Sequence, residues 1–225
     1  MIKRKLLIVN LVIFLAVMAG DLFYMEHGGL WRKGLTSFGF VLMGLINVLT
    51  CRPERKRERF GFPLVMVLGL FFCMLGDIFI NIDFIPGAAL FAVGHLFYFT
   101  AYCRLQKPKL LDLIPFVLIF AASVLIIKCV PILDFNNGLI EGICLGYALV
   151  ISLMASKAVA NLFRGRKLIH WILVLGCVLF YFSDLMLVFD VFADTPDYIA
   201  TLCMVSYYPA QCLLAFSISC NYGKE

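Results

Sequence analysis

The feature that most constrains this chain is an apolar run of about twenty residues that recurs along the whole length. Each run is long enough to cross a hydrocarbon core about 30 Å thick as an α-helix. Of the 225 residues, 63% are hydrophobic and 15% are charged, whereas a soluble domain carries roughly 25% charged residues. The chain has too little polar material to cover a water-soluble globule. We therefore predict an all-α, polytopic membrane helix bundle.

Hydropathy predicts eight transmembrane helices that form a single integral membrane domain over residues 1–225. The expected spans are 6–24, 34–50, 62–82, 86–105, 111–130, 138–156, 168–188 and 198–219. The connections are short, and several contain Pro or Gly, so no segment remains for a soluble domain. The first span also resembles a signal peptide. Its apolar run is long for that role, and its removal would leave an odd number of spans.

The cations are distributed unevenly between the two ends of these spans. Only Arg32, Lys33 and Lys128 of the 19 Lys and Arg residues fall on the side opposite the termini. This asymmetry predicts a cell-membrane protein with both termini in the cytoplasm. The basic segment 52–59 is typical of contact with anionic membrane lipids. We expect membrane lipids as partners and no nucleic acid, and the sequence does not indicate an oligomeric state.

A weak internal repeat is visible at an offset of 107 residues. Segment 67–69 matches segment 174–176, Asp77 matches Asp184, and Asp83 matches Asp190. The matched positions lie four spans apart, so both copies cross the membrane in the same direction. This pattern predicts a 4+4 parallel internal repeat.

Two carboxylates, Asp77 and Asp184, lie inside apolar spans. An ionised carboxylate in hydrocarbon costs at least about 2.5–3.5 kcal/mol, so both are candidate catalytic residues. Counted from the predicted span ends, both lie roughly 7–9 Å below the outer boundary. If they share a pocket, one keeps its proton while the other stays charged, which supplies a general acid and a general base. The alternative is that each bonds a neighbouring Ser, Tyr or Asn and joins helices.

Other polar side chains lie at compatible levels in the spans. The candidates for substrate binding are Lys33, Asn81, His95, Tyr98, Tyr147, Tyr208 and Gln211. Helical spacing places Tyr98 on the face of His95, and it places Gln211 on the face of Tyr208. Lys33 stands at the outer entrance of the second span, where an ammonium can meet a phosphate as a point charge.

Several motifs that would indicate other chemistry are absent from the sequence. It contains no HExxH, no GxSxG, no P-loop and no dinucleotide fingerprint. The three His residues lie in different helices, and none of the nine Cys forms a CxxC pair. We therefore expect no metal and no cofactor. Asp21 and Glu141 lie nearer the outer boundary, where we expect them to be solvated. The remaining chemistry is that of the intramembrane carboxylates.

Four short motifs lie in the helices that carry these candidates. They are Leu-Gly-Asp at 75–77, Gly-His-Leu-Phe-Tyr at 94–98, Phe-Ser-Asp-Leu at 182–185 and Tyr-Tyr-Pro-Ala-Gln at 207–211. Together they resemble the YhhN family of eight-helix membrane proteins, which includes the lysoplasmalogenases. Lys33 is similar to a family lysine that opens the second helix, and Tyr147 with Met154 also fits the family. The family lysine is usually followed by Pro, where this sequence has Gly34.

The resemblance implies hydrolysis of the vinyl ether bond of a lysoplasmalogen. A lysophospholipid would be the substrate, and the products would be a fatty aldehyde and glycerophosphoethanolamine or glycerophosphocholine. A vinyl ether opens when a proton reaches its β-carbon, after which water adds to the oxocarbenium ion. Asp77 and Asp184 would divide the roles of proton donor and cation-stabilising base, with the more desolvated carboxyl as donor. The other polar candidates would position water and glycerol oxygens, and Lys33 would hold the phosphate.

Two other classes of protein share some of these features. Intramembrane aspartates within a parallel repeat are typical of a proton- or cation-coupled transporter of a small molecule or lipid. Against that class, the two halves lack Gly- or Pro-broken helices at corresponding positions. The third hypothesis is a structural or chaperone-like membrane protein.

Overall fold

The computed structural model describes residues 4–50, 61–135 and 137–221. Within these ranges the chain is all-helical, and eight helices are long and apolar enough to cross a membrane. They are α1 (Arg4–His27), α2 (Leu30–Thr50), α3 (Phe62–Ile80), α4 (Phe84–Leu105), α5 (Leu113–Cys129), α6 (Gly138–Gly165), α7 (Leu168–Phe192) and α8 (Tyr198–Cys220). One turn of 3₁₀ helix (Leu110–Asp112) precedes α5. The predicted fold class and number of spans are confirmed, and the chain is a multi-pass membrane protein.

Two helices run past their predicted ends. α6 continues for more than two turns beyond residue 156 because the charge of Lys157 is buried and paired, with its ammonium 2.8 Å from the Asp112 carboxylate. α7 continues for a further turn beyond residue 188. Asp184 consequently lies more than two turns before the end of its helix, whereas Asp77 lies in the last turn of α3. Counted from the helix ends, the two carboxylates do not lie at the matching depth expected from the sequence.

Six of the helices form a closed ring. In the order α2, α3, α4, α6, α7 and α8, each helix packs against the next, and α8 closes the ring on α2. α1 lies outside the ring against α2 and α8, and α5 lies outside it against α6. Both outer helices expose much of their apolar surface, as expected where lipid is the neighbour. α3 and α7, which carry the two aspartates, occupy opposite positions in this ring.

Several contacts between helices recur at equivalent positions of the two halves, whereas the α1–α8 contact has no counterpart of similar extent between α5 and α4 in the described residues. The α1–α2 contact corresponds to α5–α6, α3–α4 corresponds to α7–α8, and α2–α8 corresponds to α6–α4. Two glycines at the repeat offset serve equivalent close approaches. A Cβ at Gly69 would overlap the Tyr98 ring on α4, and a Cβ at Gly176 would overlap the Leu214 side chain on α8. Small residues at such positions let the third and fourth helices of each half pack closely.

A pair of buried asparagines joins the outer helix α1 to the ring. The Asn10 amide donates to Asn47 Oδ1 at 2.9 Å, and the Asn47 amide donates back at 2.8 Å. Asn47 also donates to the carbonyl oxygen of Ala215 on α8 at 3.1 Å. The pair therefore links α1, α2 and α8 through hydrogen bonds that no lipid can replace.

The predicted orientation in the membrane depends in part on cations that the structure leaves undescribed. The basic segment 52–59, together with Lys3 and Lys224, lies outside the described residues. The cytoplasmic location of both termini therefore stays a prediction from the charge distribution.

Candidate functional site

Asp77 is the end point of a sealed hydrogen-bond network in the ring. Its Oδ2 accepts from Ser37 Oγ on α2 at 2.6 Å and from Tyr207 Oη on α8 at 2.7 Å. Tyr208 Oη lies 3.2 Å from Ser37 Oγ. Because the Ser37 proton is committed to Asp77, Tyr208 is the donor in that contact. One arm of the network thus runs from Tyr208 through Ser37 to the carboxylate.

A second arm reaches Asp77 through Gln211. Tyr98 Oη donates to Gln211 Oε1 at 2.7 Å, and Gln211 Nε2 donates to Tyr207 Oη at 3.1 Å. Every member of this arm is buried. Both arms therefore lead from donor to acceptor toward one carboxylate. A network whose members are all satisfied stabilises the packing of the helices that contribute to it.

Asp184 is the end point of a shorter network from α4 and α6. Tyr147 Oη donates to Asp184 Oδ2 at 2.7 Å, and His95 Nε2 lies 2.7 Å from Tyr147 Oη. Since the Tyr147 proton goes to Asp184, His95 donates through Nε2. His95 Nδ1 is buried and has no hydrogen-bond partner among the described residues. His95 Nε2 also lies 3.5 Å from Asp184 Oδ2.

The two networks occupy equivalent positions in the two halves. Asp77 on α3 is bonded from α2 and α8, and Asp184 on α7 is contacted from α6 and α4. The ring of Phe180 lies between the networks, with centroids 4.7 Å from the His95 ring and 5.3 Å from the Tyr207 ring. The two carboxylates therefore end two different hydrogen-bond networks, and the Phe180 ring contacts a member of each.

A cavity of about 70 Å³ lies beside Asp184. Its wall consists mostly of apolar side chains of α3 to α7, among them Ile80, Phe84, Phe91, Ile127, Ile151 and Val188. Among the described residues that line it, Asp184 is the one carboxylate, and Tyr147 lies beside it in the wall. Ser123 and Tyr181 also line the cavity, whereas Asp77 does not. The structure thus brings Asp184, but not Asp77, to this cavity.

Lys33 and Asn81 lie on the Asp77 side of the ring. The Lys33 side chain is buried, with its ammonium 3.7 Å from Met204 Sδ and 5.1 Å from the centre of the Tyr24 ring. Asn81 donates to the Asp77 carbonyl oxygen at 2.7 Å and accepts from the Tyr24 hydroxyl at 3.0 Å. Neither residue lines the cavity described above. A phosphate bound by Lys33 would therefore lie away from that cavity.

Ser37 and Tyr207 are absent from the set of candidates that the sequence suggests. Tyr207, rather than Tyr208, donates directly to Asp77. Gln211 follows Tyr207 by four residues and Tyr208 by three, and both spacings fit one helix face. The spacing therefore fits Tyr207 as well as Tyr208 as a neighbour of Gln211. Nothing in the sequence distinguishes Ser37 from other serines in the spans.

Asp21 corrects an expectation from the sequence. It is fully buried rather than solvated, and within the described part of the chain neither carboxylate oxygen has a hydrogen-bond partner. The charged side chains that act on it are Lys33, which compensates its charge, and Asp77. Glu141 is partly exposed, as expected, and pairs with Lys128 at 2.7 Å. α1 thus contributes a buried carboxylate to the Asp77 side of the molecule.

The potential metal ligands are dispersed in the structure. In the described ranges, no group of three or more His, Cys, Asp or Glu side chains is placed to hold one ion. The cysteines of these ranges are free thiols, and most of them are buried among helices.

Comparison with known protein families gives a match over most of the chain. Residues 33–218 match the family model of the YhhN family, a range that includes both intramembrane aspartates. No curated protein and no solved structure matches the chain. Asp21 and the rest of α1 precede the matched range. The match covers far more than half of the sequence, and the chain belongs to the YhhN family.

Proposed function

We propose that this protein hydrolyses the vinyl ether bond of a lysoplasmalogen, with Asp184 as the proton donor. The observation that supports the proposal is a single carboxyl, hydrogen-bonded by Tyr147, in the wall of an otherwise mostly apolar cavity. The cavity of about 70 Å³ is much smaller than a pocket that encloses a drug-sized ligand. It suits the reacting end of an alkenyl chain, while the rest of the lipid stays in the membrane.

The proposed reaction requires a carboxylic acid beside a carbon–carbon double bond. Asp184 donates its proton to the β-carbon, and positive charge develops on the α-carbon and the ether oxygen. Water adds to the α-carbon and passes a proton to the Asp184 carboxylate. The hemiacetal then collapses to a fatty aldehyde and glycerophosphoethanolamine or glycerophosphocholine. A carboxyl that acts first as acid and then as base has the role found in retaining glycosidases.

Tyr147 and His95 hold the carboxyl through both proton transfers. Tyr147 and His95 both approach Oδ2, so Oδ1 carries the transferable proton. Once Asp184 has lost this proton, the hydrogen bond from Tyr147 becomes charge-assisted and stabilises the carboxylate. His95 keeps the Tyr147 hydroxyl aimed at Asp184 by donating to its oxygen. Both residues therefore support the acid, Tyr147 from the cavity wall and His95 from behind it.

Asp77 acts at longer range in this proposal. If the more desolvated carboxyl were the proton donor, as the sequence suggests, Asp77 would be that donor, because it is the more buried of the two. A proton donor must first be within reach of the reacting carbon, and Asp184 is the aspartate in the cavity wall. We assign to Asp77 the role of a fixed negative charge behind Phe91 and Tyr207 that favours the cation. The other members of its network hold that charge in place.

The location in the membrane completes the proposal. We place the protein in the cell membrane with both termini in the cytoplasm, as the distribution of cations predicts. In this orientation the outer ends of α2 and α3 face the outer leaflet. Lys33 and Asn81 lie there but do not line the cavity, so we assign them no contact with the phosphate of a lipid whose ether bond lies beside Asp184.

Aldehyde release from a defined substrate tests the proposal. Protein purified in detergent is given an alkenyl lysophosphatidylethanolamine and, in parallel, the saturated alkyl analogue, which has no double bond to protonate. The wild type should release aldehyde from the alkenyl lipid alone, and Asp184→Asn should lose this activity. Asp190→Asn, an exposed change on the same helix, is the matched control. A wild type that releases no aldehyde would reject the proposal, and so would an undiminished Asp184→Asn variant. A transporter would move the lipid between leaflets of a vesicle without forming aldehyde.

A further inference from the structure

A second polar pair lines the cavity beside Asp184. It consists of Ser123 on α5 and Tyr181 on α7, whose hydroxyl oxygens lie 2.6 Å apart. Tyr181 precedes Asp184 by three residues, so the two side chains share a helix face with Cβ atoms about 5–6 Å apart. The pair takes no part in the Tyr147–His95 network. It is the remaining hydrogen-bonded pair among the described residues of the wall.

The contacts of this pair determine where its two protons lie. Ser123 Oγ donates to the carbonyl oxygen of Ile119 at 2.9 Å, so its single proton is committed within α5. The proton in the 2.6 Å contact must therefore come from Tyr181. With both protons used inside the protein, the pair has only acceptor lone pairs left. The partner that it can take in the cavity is a hydrogen-bond donor.

We propose that Tyr181, held by Ser123, positions the water that attacks the oxocarbenium ion, an inference that rests on the proposed function. After Asp184 has protonated the β-carbon, its carboxylate and Tyr181 Oη are both acceptors. A water between them donates one hydrogen to each and directs a lone pair at the α-carbon. A cavity of about 70 Å³ has room for a water beside the end of a chain, since about 10–15 Å³ on the same measure holds one water.

The attack balances without any further reactant. The water oxygen forms a bond to the α-carbon, and the π electron pair of the oxocarbenium group returns to the ether oxygen. One water proton passes to the Asp184 carboxylate, which restores the acid. Tyr181 keeps its own proton throughout, because that proton stays in the hydrogen bond to Ser123. Tyr181 is thus a positioning residue for water and not a proton donor to the lipid.

A positioning role has a consequence that a packing role lacks. Water attack comes after protonation, so a slower attack lowers turnover only if the cation returns a proton to Asp184. In D₂O the acid carries deuterium. When the cation returns the original hydrogen instead of the deuterium it has received, the vinyl ether forms again. The unreacted substrate then carries deuterium on its β-carbon.

The test compares variants of the full-length protein in H₂O and D₂O, with an alkenyl lysophosphatidylethanolamine as the substrate. Tyr181→Phe should lower aldehyde release about tenfold, the factor that one ordinary hydrogen bond provides. The substrate recovered from this variant should contain deuterium at the β-carbon. Tyr102→Phe is the matched control, because Tyr102 is buried, contacts Cys177 Sγ and does not line the cavity.

The outcomes separate this inference from the proposed function. Slower release by Tyr181→Phe without deuterium in the recovered substrate would assign Tyr181 to packing and overturn the inference. Unchanged release would overturn it as well, while leaving the function of the wild type intact. A wild type that releases no aldehyde would overturn the function and the inference together.

Discussion

Asp77 and Asp184 hold equivalent places in the two halves of the ring, and each accepts a hydrogen bond from a tyrosine, yet their surroundings differ. Asp77 is a buried residue whose carboxylate ends two arms of buried donors. The Asp184 side chain is 14% exposed and lies in the wall of a cavity. The two halves thus contain one closed site and one open site. The same type of hydrogen bond can join helices in the first and hold a reactive group in the second.

The sequence leaves two hypotheses open for each aspartate, a catalytic role and a helix-joining role. The different surroundings favour one hypothesis for each residue. Bonding to Ser and Tyr hydroxyls is what a helix-joining carboxylate requires, and Asp77 meets that description fully. Asp184 meets it in part, since it also borders space in which a lipid chain can lie. Access to that space, and not burial, therefore separates the proposed acid from its counterpart. The following predictions test this difference between the halves.

Removal of the carboxylate should destabilise the Asp77 half more than the Asp184 half. Asp77→Ala leaves the Ser37 and Tyr207 hydroxyls buried without their acceptor, at a cost of about 1–3 kcal/mol each. Asp184→Ala affects one such hydroxyl, that of Tyr147, which lines the cavity. Thermal unfolding in detergent, followed by a dye that reacts with the buried cysteine thiols, measures both losses. An equal or larger loss for Asp184→Ala would remove the distinction between a closed and an open site.

Alanine substitution of the two glycines at the repeat offset should also destabilise the protein unequally, with the larger loss at Gly69. A Cβ at Gly69 meets the ring of Tyr98, and the hydrogen bond from Tyr98 to Gln211 holds that ring in place. Gly69→Ala should therefore cost about 1–3 kcal/mol of unfolding free energy. A Cβ at Gly176 meets the end of the Leu214 side chain, which can rotate, so Gly176→Ala should cost less. The same unfolding assay compares the two variants. A larger loss at Gly176 would show that Tyr98 is not held as the network implies.

The tyrosines that bond the two carboxylates should differ in what their loss affects. Tyr147→Phe should lower aldehyde release per folded protein about tenfold, because it removes the donor that holds the proposed acid. Tyr207→Phe should lower the unfolding free energy by about 1–2 kcal/mol, since it removes contacts to both Asp77 and Gln211. Turnover per folded protein separates the two effects. The reverse pattern would place the chemistry in the Asp77 half.

The asparagine pair provides a reference for helix joining without a carboxylate. A double-mutant cycle with Asn10→Leu and Asn47→Leu should give a coupling energy of about 0.6 kcal/mol, the average for hydrogen bonds between membrane helices. Neither variant should affect aldehyde release once the amount of folded protein is equal. A coupling as large as the loss for Asp77→Ala would mean that the Asp77 network is no stronger than an ordinary polar contact.

The fold could be predicted from the sequence because apolar runs and membrane thickness together determine the number of helices. The end of α6 could not, because Lys157 is a plausible end to a span until its partner is known. That partner, Asp112, lies 45 residues away, and a pairing at that distance is set by tertiary packing. The internal repeat was visible in Gly69 and Gly176, which the structure places at equivalent helix contacts.

The candidate site was only partly predictable. Unusual residue types in apolar spans identify Asp77 and Asp184, since a buried charge is costly in any fold. The neighbours that bond them depend on how each helix is rotated about its own axis. The periodicity of the sequence does not determine whether Tyr207 or the adjacent Tyr208 points toward Asp77. The cavity depends on α5, whose sequence is uniformly apolar apart from Ser123 and its outer end. No motif could show that this helix closes a wall around Asp184.

The most direct test of the account is aldehyde release by Asp77→Asn and Asp184→Asn, measured side by side and normalised to folded protein. Loss of a general acid lowers a rate by about 10²–10⁴-fold, so Asp184→Asn should lose at least about a hundredfold. Asp77→Asn removes a charge behind Phe91 and Tyr207 and should lose about tenfold, as expected when a single ordinary interaction is removed. Equal losses, or a larger loss for Asp77→Asn, would contradict the assignment of the acid to the cavity wall.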